Sequence, residues 1–233
     1  MILRLVIKVQ FYFLYKTRSP IKLIKLYFLA LLAVLCSASE DFVLFDFEDV
    51  HNSALPEGIQ VLNGANDEGS VSVVSSDVVG SRSLQLVGDF AGSDGRGYRG
   101  MAVIRMSSKL NVEQYEKFQS CLEISDQSWQ IQFDLWVDVS SMAFFKLEFG
   151  LNSATSGYQK AGGSSFLSMK EKDLKALGSG VQPLGQMRIL SSDFAKPILP
   201  EDTFYNFTFK QNSKTGILPT FYIDNIKVSY TQK

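Results

Sequence analysis

The sequence predicts an all-β fold, a sandwich or a barrel built around one hydrophobic core. From residue 42 onward, short segments of alternating apolar and polar residues recur, and they are rich in β-branched and aromatic residues. Clusters of Gly, Ser, Asn and Asp separate these segments, as turns do between strands. The 195 residues that follow residue 38 are enough to form the core of a single sandwich.

Twelve segments show the period of two that is typical of a half-buried strand. In chain order they are 42–48, 58–62, 70–75, 83–88, 100–106, 119–125, 129–138, 143–151, 164–169, 185–190, 203–210 and 220–230. Only 111–118 and 171–177 are predicted as short helices, while 88–100 and 153–165 are predicted as Gly- and Ser-rich loops. The sequence shows no internal repeat, so the strands are assigned to one domain.

The first 38 residues have the features of a secretory signal peptide. Lys22 and Lys25 precede a run of ten apolar residues, Leu26–Leu35. This run is too short for a membrane-spanning helix, which needs about 20 residues, and it suits a signal peptide. Cys36 and Ala38 supply small residues three and one positions before a predicted cleavage site. The alternative is an uncleaved signal anchor, because the segment before the apolar run is long.

We expect cleavage after Ala38, which divides the chain into a signal peptide, 1–38, and a single β-sandwich domain, 39–233. The mature chain is then expected to be secreted, extracellular or periplasmic, with no stable insertion in a membrane. It holds 17 basic and 24 acidic residues, a net charge of −7. This excess of acidic residues argues against a nucleic-acid partner.

Cysteine and histidine are scarce, and this scarcity excludes several kinds of site. His51, Cys36 and Cys121 are the complete set, so a Cys₄ or Cys₂His₂ zinc site cannot form. A Ser-His-Asp triad would need His51. Cleavage of the signal peptide leaves Cys121 without a partner for an intramolecular disulfide. We therefore expect Cys121 to be a small buried residue on a strand.

The segment 129–138 combines a clear alternation with an aromatic residue on its polar side. Its odd positions, from Trp129 to Val137, are apolar, whereas Trp136 shares the even positions with glutamine and aspartate. Successive side chains of a strand point to opposite faces. The odd positions are therefore predicted to face the core, and Trp136 is predicted to face outward among polar groups.

The following segment, 143–151, has the same alternation, and Lys146 and Glu148 face outward from it. They share the surface of Trp136 if the two strands pair. Such a surface can hold a sugar, because the indole ring covers the apolar face of a pyranose while carboxylates and amides bond its hydroxyl groups. The alternative is that a second layer, a loop or a partner covers Trp136. The predicted substrate-binding residues are Trp136, Asp134, Asp138, Gln132, Lys146 and Glu148.

Three short motifs lie at the two ends of the mature chain and on one inner strand. Phe45–Asp49 reads Phe-Asp-Phe-Glu-Asp, Gly80–Leu86 reads Gly-Ser-Arg-Ser-Leu-Gln-Leu, and Phe221–Val228 reads Phe-Tyr-Ile-Asp-Asn-Ile-Lys-Val. In these motifs the chain resembles, at the superfamily level, the secreted jelly-roll modules of the carbohydrate-binding and galactose-binding-like type. The resemblance implies an antiparallel β-sandwich of jelly-roll type with two packed sheets, and a polysaccharide or glycoconjugate as partner.

The same resemblance implies a structural calcium ion beside the first and last strands. In similar modules the ligands are carboxylates of the opening segment and the closing aspartate. Carried over to this sequence, the metal ligands are Asp46, Glu48 and Asp224, with Asp49 in reserve. Calcium takes six to eight oxygen ligands and tolerates irregular geometry. The alternative is that these acids cap strand ends in water.

Two kinds of enzyme are the alternatives to simple binding. A glycoside hydrolase needs two carboxylates that are about 5 or about 6.5–9.5 Å apart, and Asp134, Asp138 and Glu148 are the candidates. A jelly-roll polysaccharide lyase is the other. Arg99 with Arg105, 130–132 and 158–162 resemble, in the same order, part of the alginate-lyase pattern, although its histidine and its terminal Tyr-x-Gln are missing. The sequence therefore favours a secreted, non-catalytic glycan-binding module with a structural calcium site. A structural or adhesive extracellular module is the third reading.

Overall fold

A computed structural model describes residues 39–231 except 51–54, 56, 62–68, 77–78, 89, 92–97, 126–127, 141, 164–166 and 216–219. The predicted signal peptide with Cys36, and also His51, lie outside the described residues. The chain from Glu40 to Tyr230 forms one compact unit. Within the described residues, no helix is long and apolar enough to cross a membrane.

Thirteen strands and two α-helices lie in the described part of the chain. The strands are β1 (Ser39–Phe45), β2 (Ile59–Val61), β3 (Gly69–Ser76), β4 (Ser81–Gly88), β5 (Phe90–Ala91), β6 (Tyr98–Ser107), β7 (Trp129–Asp138), β8 (Met142–Ser153), β9 (Gly157–Lys160), β10 (Leu167–Lys170), β11 (Val181–Leu190), β12 (Phe204–Thr215) and β13 (Thr220–Thr231). The helices are α1 (Val112–Ser125) and α2 (Glu171–Leu177), and 3₁₀ turns occupy Ala161–Gly163 and Ser191–Asp193.

The strands form two antiparallel sheets that pack against each other. Sheet A has the order β11-β7-β13-β4-β3, with β1 paired to β13. Sheet B has the order β10-β8-β12-β6-β2, with β9 paired to β8 and β5 paired to β6. The first and last strands thus lie side by side in sheet A, as the resemblance implied. The all-β sandwich of jelly-roll type with two packed sheets is confirmed.

Aromatic side chains from both sheets fill the space between them. The ring of Phe133 on β7 lies 5.2 Å from that of Phe209 on β12, edge to face, and 6.2 Å from that of Phe149 on β8. All three are completely buried, and burial of each such side chain contributes about 1.5–3 kcal/mol. Because Phe133 occupies an odd position of β7, the predicted orientation of this strand is confirmed.

Helix α1 packs against both sheets, and the prediction of a strand over 119–125 is wrong. The helix continues to Ser125. Its buried side chains include Phe118 and Leu122, which are four residues apart and therefore share one helix face. The Phe118 ring meets Trp129 of sheet A at 5.6 Å and Tyr205 of sheet B at 4.8 Å. These aromatic contacts on both sheets hold the segment as a helix.

Cys121 is buried as expected, but it lies on helix α1 and not on a strand. Burial raises the pKa of its thiol to about 12. The thiol is therefore protonated at neutral pH and acts as a small apolar core group.

Strand β8 lies in sheet B between β10 and β12, and it does not pair with β7. A surface shared with Trp136 would require β7 and β8 to pair, so it does not form. Lys146 and Glu148 face outward on the side of the sandwich opposite to Trp136.

The predicted helix 171–177 is confirmed as α2. Strand β9 lies within 153–165, which the sequence predicted as a loop.

Candidate functional site

Four of the six predicted substrate-binding residues lie together on the outer surface of sheet A. Trp136, Asp134, Asp138 and Gln132 occupy the even positions of β7, and we call the surface that they form with Tyr222 of β13 the Trp136 face. Trp136, Asp134 and Asp138 are half-buried, whereas Gln132 is only 8% exposed. The polar side of β7 is thus the side that the sequence predicted.

Two aromatic side chains stand side by side at the middle of the Trp136 face. Trp136 pairs in register with Tyr222 on one side and with Pro183 of β11 on the other. Neighbouring strands are about 4.8 Å apart, so the three side chains start from adjacent positions and form an apolar strip across three strands of the surface. Gln85 of β4 donates a hydrogen bond from Nε2 to Tyr222 Oη at 3.2 Å, and this bond orients the phenol ring.

Tyr222 is a residue of the candidate site that sequence reasoning did not identify. It alternates with Phe221 and Ile223, which are both completely buried, so the alternation indicates an outward side chain. Its place beside Trp136 follows from the pairing of β13 with β7. That pairing joins distant parts of the chain, and the local pattern does not reveal it.

A second row of polar groups runs beside the aromatic row. Asp134 pairs in register with Gln186 of β11 and with Asp224 of β13. Asn225 occupies a β-bulge with a positive φ of 51°, and its Nδ2 donates to Asp134 Oδ2 at 3.0 Å. The bulge therefore fixes one oxygen of Asp134 and leaves the carboxylate beside the aromatic strip.

Asp224 lies beneath this row, and it is only 2% exposed. Its Oδ2 accepts a hydrogen bond from Ser81 Oγ at 2.6 Å, and its Oδ1 accepts one from the backbone N–H of Asn225 at 2.7 Å. Burial raises the pKa of Asp224, and the negative charges of Glu48 and Asp134 add to this rise against the two hydrogen bonds. Asp224 is thus a poorly solvated acid close to other acids.

The other two predicted metal ligands are also bonded to protein groups. Asp46 Oδ1 accepts from the backbone N–H of Glu48 at 3.3 Å, and Glu48 Oε1 accepts from the backbone N–H of Arg82 at 3.2 Å. Among the described residues, no group of three His, Cys, Asp or Glu side chains converges in a way that could hold a metal ion. A calcium ion on Asp46, Glu48 and Asp224 would need these side chains to rearrange, and the site stays a prediction.

Asp138 and Gln132 make hydrogen bonds that stabilise the strands and the turn of the Trp136 face. Asp138 Oδ1 accepts from the backbone N–H of Ser140 at 2.9 Å, which caps the turn after β7. Gln132 Nε2 donates to Ser229 Oγ at 3.1 Å and so ties β7 to β13. The groups of this face that best suit a ligand are Trp136, Tyr222 and one oxygen each of Asp134 and Asp138.

The two remaining predicted residues belong to a different surface. Lys146 Nζ lies 2.9 Å from Glu148 Oε1, and Lys160 Nζ lies 3.0 Å from Glu148 Oε2. Burial alone would raise the pKa of Glu148, but its bonds to these lysines and the charge of Lys210 lower it. We call the outer surface of sheet B around Lys146, Glu148, Lys160 and Lys210 the lysine face. A ligand that contacts Trp136 directly cannot reach it through the sandwich.

The structure also separates the residues that suggested catalysis. Asp134 and Asp138 are four positions apart on one strand, about 13 Å along it, which is longer than either separation that a glycoside hydrolase uses. Glu148 lies on the opposite side of the sandwich. The lyase-like segments are divided in the same way, because Gln132 is on sheet A and Tyr158 is on sheet B.

No family model and no curated protein sequence matches this chain. Solved structures match its fold. A family 28 carbohydrate-binding module specific for non-crystalline cellulose is 12% identical, with a TM-score of 0.53, over 83% of this chain and 95% of that chain. A family 11 module from Clostridium thermocellum, solved with a β-1,3-1,4-mixed-linked tetrasaccharide, is 14% identical, with a TM-score of 0.46, over 82% and 96%. The likeness to the family 28 module shows a shared β-sandwich fold, and at this identity it concerns the fold alone.

Proposed function

We propose that this protein is a secreted, non-catalytic module that binds a neutral polysaccharide on the Trp136 face. The observation that carries the proposal is the pair of half-buried aromatic residues, Trp136 and Tyr222, on adjacent strands of one surface next to Asp134. The rings cover the apolar faces of sugar units, and the carboxylate accepts hydrogen bonds from their hydroxyl groups.

The surroundings of the two rings support the binding of a ligand without large rearrangement. Trp136 and Tyr222 stand on neighbouring strands in the interior of sheet A, and Gln85 restrains the phenol. Groups that are already ordered lose little conformational entropy when they bind a ligand. Asp134 and Asp138 lie on either side of Trp136 along β7. Their negative charges disfavour a uronic acid against the Trp136 ring, although Arg188 and Lys227 pair in register with Gln132 further along the face. The proposed ligand is therefore a neutral sugar polymer.

The fold likeness indicates which neutral polymer to test first. The family 28 module that shares the fold is specific for non-crystalline cellulose. A soluble, amorphous β-glucan such as hydroxyethyl cellulose is therefore the first probe, and mannan and galactan are the neutral alternatives. A glycoconjugate that carries the same sugar units would be recognised by the same groups.

The test is retention in an affinity gel that contains hydroxyethyl cellulose. We expect Trp136→Ala to weaken retention at least tenfold, which corresponds to about 1.4 kcal/mol, and Tyr222→Ala to weaken it less. Ile124→Ala is the control, because it removes an exposed apolar side chain from helix α1, away from the sheet. Unchanged retention of Trp136→Ala, or an equal loss in Ile124→Ala, would contradict the proposed site.

An adhesive or structural role predicts a different result for the same variant. If a second copy of the chain covers the Trp136 face, Trp136→Ala would shift the protein from dimer to monomer in analytical ultracentrifugation. A glycan-binding face gives the same sedimentation coefficient for the wild type and the variant. The two measurements together separate recognition of sugar from self-association.

We also propose that the signal peptide is removed and that a calcium ion braces the terminal strands. Lys22, Lys25 and the apolar run Leu26–Leu35 direct export, and cleavage after Ala38 leaves 195 residues. The intact mass of protein recovered outside the producing cell checks this cleavage. A full-length product held in the membrane would mean that the segment is an anchor.

A further inference from the structure

Three lysines surround a single buried carboxylate at the centre of the lysine face. The side chain of Glu148 is 6% exposed, whereas those of its partners Lys146 and Lys160 are 30% and 39% exposed. Lys210 is its register partner on β12, and the charge of Lys210 also lowers the pKa of Glu148. The only carboxylate of this group is thus covered by lysines, so the group presents an excess of positive charge to solvent.

A row of polar side chains crosses four strands of the same surface. Tyr158 of β9, Asn152 of β8, Asn206 of β12 and Arg105 of β6 are successive register partners. Neighbouring strands are about 4.8 Å apart, so the row is about 14 Å long, comparable to a short oligosaccharide.

The aromatic end of this row depends on a glycine. A Cβ atom at Gly150 would come within 2.5 Å of the ring atoms of Tyr158, so the ring lies directly over this glycine. Tyr158 is nevertheless 49% exposed, because its other side faces solvent. The absence of a side chain at Gly150 thus lets the ring rest on the sheet as a platform.

The other end of the row opens into a cleft with a volume of about 390 Å³. Its wall includes Arg105, Asn206, Ser107 and the ring of Phe204. Arg105 Nε is buried, and it has no hydrogen-bond partner among the described residues. A buried donor without an acceptor is costly, and a guanidinium matches the two oxygens of a carboxylate better than any other side chain does.

We propose that the lysine face is a second binding surface, independent of the Trp136 face, that takes an acidic polysaccharide of the uronate class. Arg105 binds a carboxylate in the cleft, and Asn152 and Asn206 bond sugar hydroxyl groups. The exposed lysines attract the charged polymer, and Tyr158 covers one sugar ring. The two faces thus divide neutral and acidic ligands between opposite sides of one sandwich.

A uronate polymer fits this surface better than a single-stranded nucleic acid does. Binding of single strands without sequence preference relies on successive aromatic rings that stack successive bases. In the described part of the lysine face, the rings of Tyr158 and Phe204 lie at opposite ends of the row, too far apart to stack successive bases. Two amides that suit hydroxyl groups lie between them. The planar donor pattern of Arg105 suits a carboxylate in a fixed orientation, whereas a lysine alone acts as a point charge.

The experiment compares two polymers that share one backbone. Retention of the full chain is measured on polygalacturonate and on the same polymer after complete methyl esterification, which removes its charge. The chain is produced without N-glycosylation, because Asn206-Phe207-Thr208 is a glycosylation sequon on this surface. We expect retention on polygalacturonate only, with a strong decrease as salt is added.

Matched variants assign the binding to the lysine face. Arg105→Gln should weaken retention on polygalacturonate at least tenfold. Arg188→Gln removes the same charge from an exposed position on sheet A, where Arg188 donates hydrogen bonds to Gln186 Oε1, and it should bind like the wild type. Lys210→Gln is the second test variant, and it should weaken binding several-fold if Arg105→Gln fails to fold.

Four outcomes would overturn the proposal. They are equal retention on the esterified polymer, an equal loss in Arg188→Gln, no loss in either lysine-face variant, and tighter binding of a single-stranded oligonucleotide than of polygalacturonate. If the wild type is retained by hydroxyethyl cellulose but not by polygalacturonate, the second binding surface is contradicted, whereas neutral-polysaccharide binding by the Trp136 face is supported. Retention by polygalacturonate but not by hydroxyethyl cellulose would contradict the proposed function and support the second surface.

Discussion

The Trp136 face and the lysine face are built by the same rule and differ in chemistry. On both, alternate residues of long strands face outward while their neighbours pack into one shared aromatic core, as Phe133 and Phe149 do. The Trp136 face carries two adjacent rings and carboxylates. The lysine face carries a covered carboxylate, Glu148, among lysines, and a single exposed ring, Tyr158.

This difference shows which part of the sequence the core constrains. The inward residues of β7 and β8 must be apolar because they pack against each other across the sandwich. The outward residues are not limited in this way, so each sheet can carry its own ligand chemistry. Substitutions on the two faces and in the core test this division between core and surface.

The sharpest test replaces an inward and an outward tryptophan by alanine and compares the stability of the two variants. Trp129 is 2% exposed, with its ring 5.6 Å from Phe118 and 5.7 Å from Phe194, so Trp129→Ala should lower the free energy of unfolding by about 3–5 kcal/mol. Trp136 is half-buried, and Trp136→Ala should cost about 1 kcal/mol. Urea denaturation of both variants measures the difference. A larger loss for Trp136→Ala would mean that another layer covers the Trp136 face.

These two tryptophans also show how far the sequence alone could lead. The alternation in 129–138 correctly predicts which tryptophan is inward, because that property is local. The same alternation cannot tell which sheet a strand joins, so it wrongly placed Lys146 and Glu148 beside Trp136. Sheet membership depends on pairings between distant segments, such as β7 with β13.

Helix α1 shows a second limit of the sequence. The segment 119–125 contains only three apolar residues, Cys121, Leu122 and Ile124, and so short a pattern fits a strand and a helix equally well. The contacts of Phe118 with Trp129 and Tyr205 favour the helix. They are tertiary contacts, so the local sequence pattern does not show them. The sequence therefore predicts which residues of a strand face outward, but it does not predict which strands lie together on one face.

The calcium prediction would sharpen the contrast between the faces, because a cation would neutralise acid at the edge of the Trp136 face. Asp224 lies close to Glu48 and Asp134, whose charges raise its pKa, and a divalent ion would relieve this repulsion. At a calcium concentration 100 times the dissociation constant, binding adds about 2.7 kcal/mol to the free energy of unfolding. Calcium should then raise the melting temperature of the wild type.

The control is the response to calcium in two variants. Asp224→Ala should abolish the rise in melting temperature, and Asp138→Ala, which removes the cap of a turn, should keep it. If EDTA and calcium give the wild type the same melting curve, then Asp46, Glu48 and Asp224 do not form a site. The hydrogen bonds that these carboxylates already make would then be their complete role.

The central carboxylate of the lysine face provides the next test. Glu148→Gln leaves Lys146 and Lys160 without their counter-charge, and we expect a loss of about 1–2 kcal/mol at neutral pH. Glu113→Gln is the control, because Glu113 forms an exposed pair with Lys117 at 2.6 Å on helix α1, and exposed pairs contribute little. Equal stability of Glu148→Gln and the wild type would mean that the ion pairs of Glu148 do not hold the lysine face together.

The smallest effect is also the most specific, because acid should act on the two faces in opposite directions. Folding lowers the pKa of Glu148 from its ordinary 4.5. Its stabilisation is therefore present above pH 4.5 and is lost as the pH falls through the lowered value. Folding raises the pKa of Asp224 from its ordinary 3.8, mainly through burial. Its contribution is therefore present below pH 3.8 and is lost as the pH rises through the raised value.

The measurement is the free energy of unfolding of the wild type relative to Glu148→Gln and to Asp224→Asn, at a series of pH values that brackets 3.8 and 4.5. As the pH rises, the wild type should gain stability relative to Glu148→Gln and lose stability relative to Asp224→Asn. Calcium should suppress the second trend, because a bound cation favours the charged carboxylate. Parallel trends in the two comparisons would show that both carboxylates experience the same electrostatic environment, and the chemical difference between the two faces would then not extend to their buried acids.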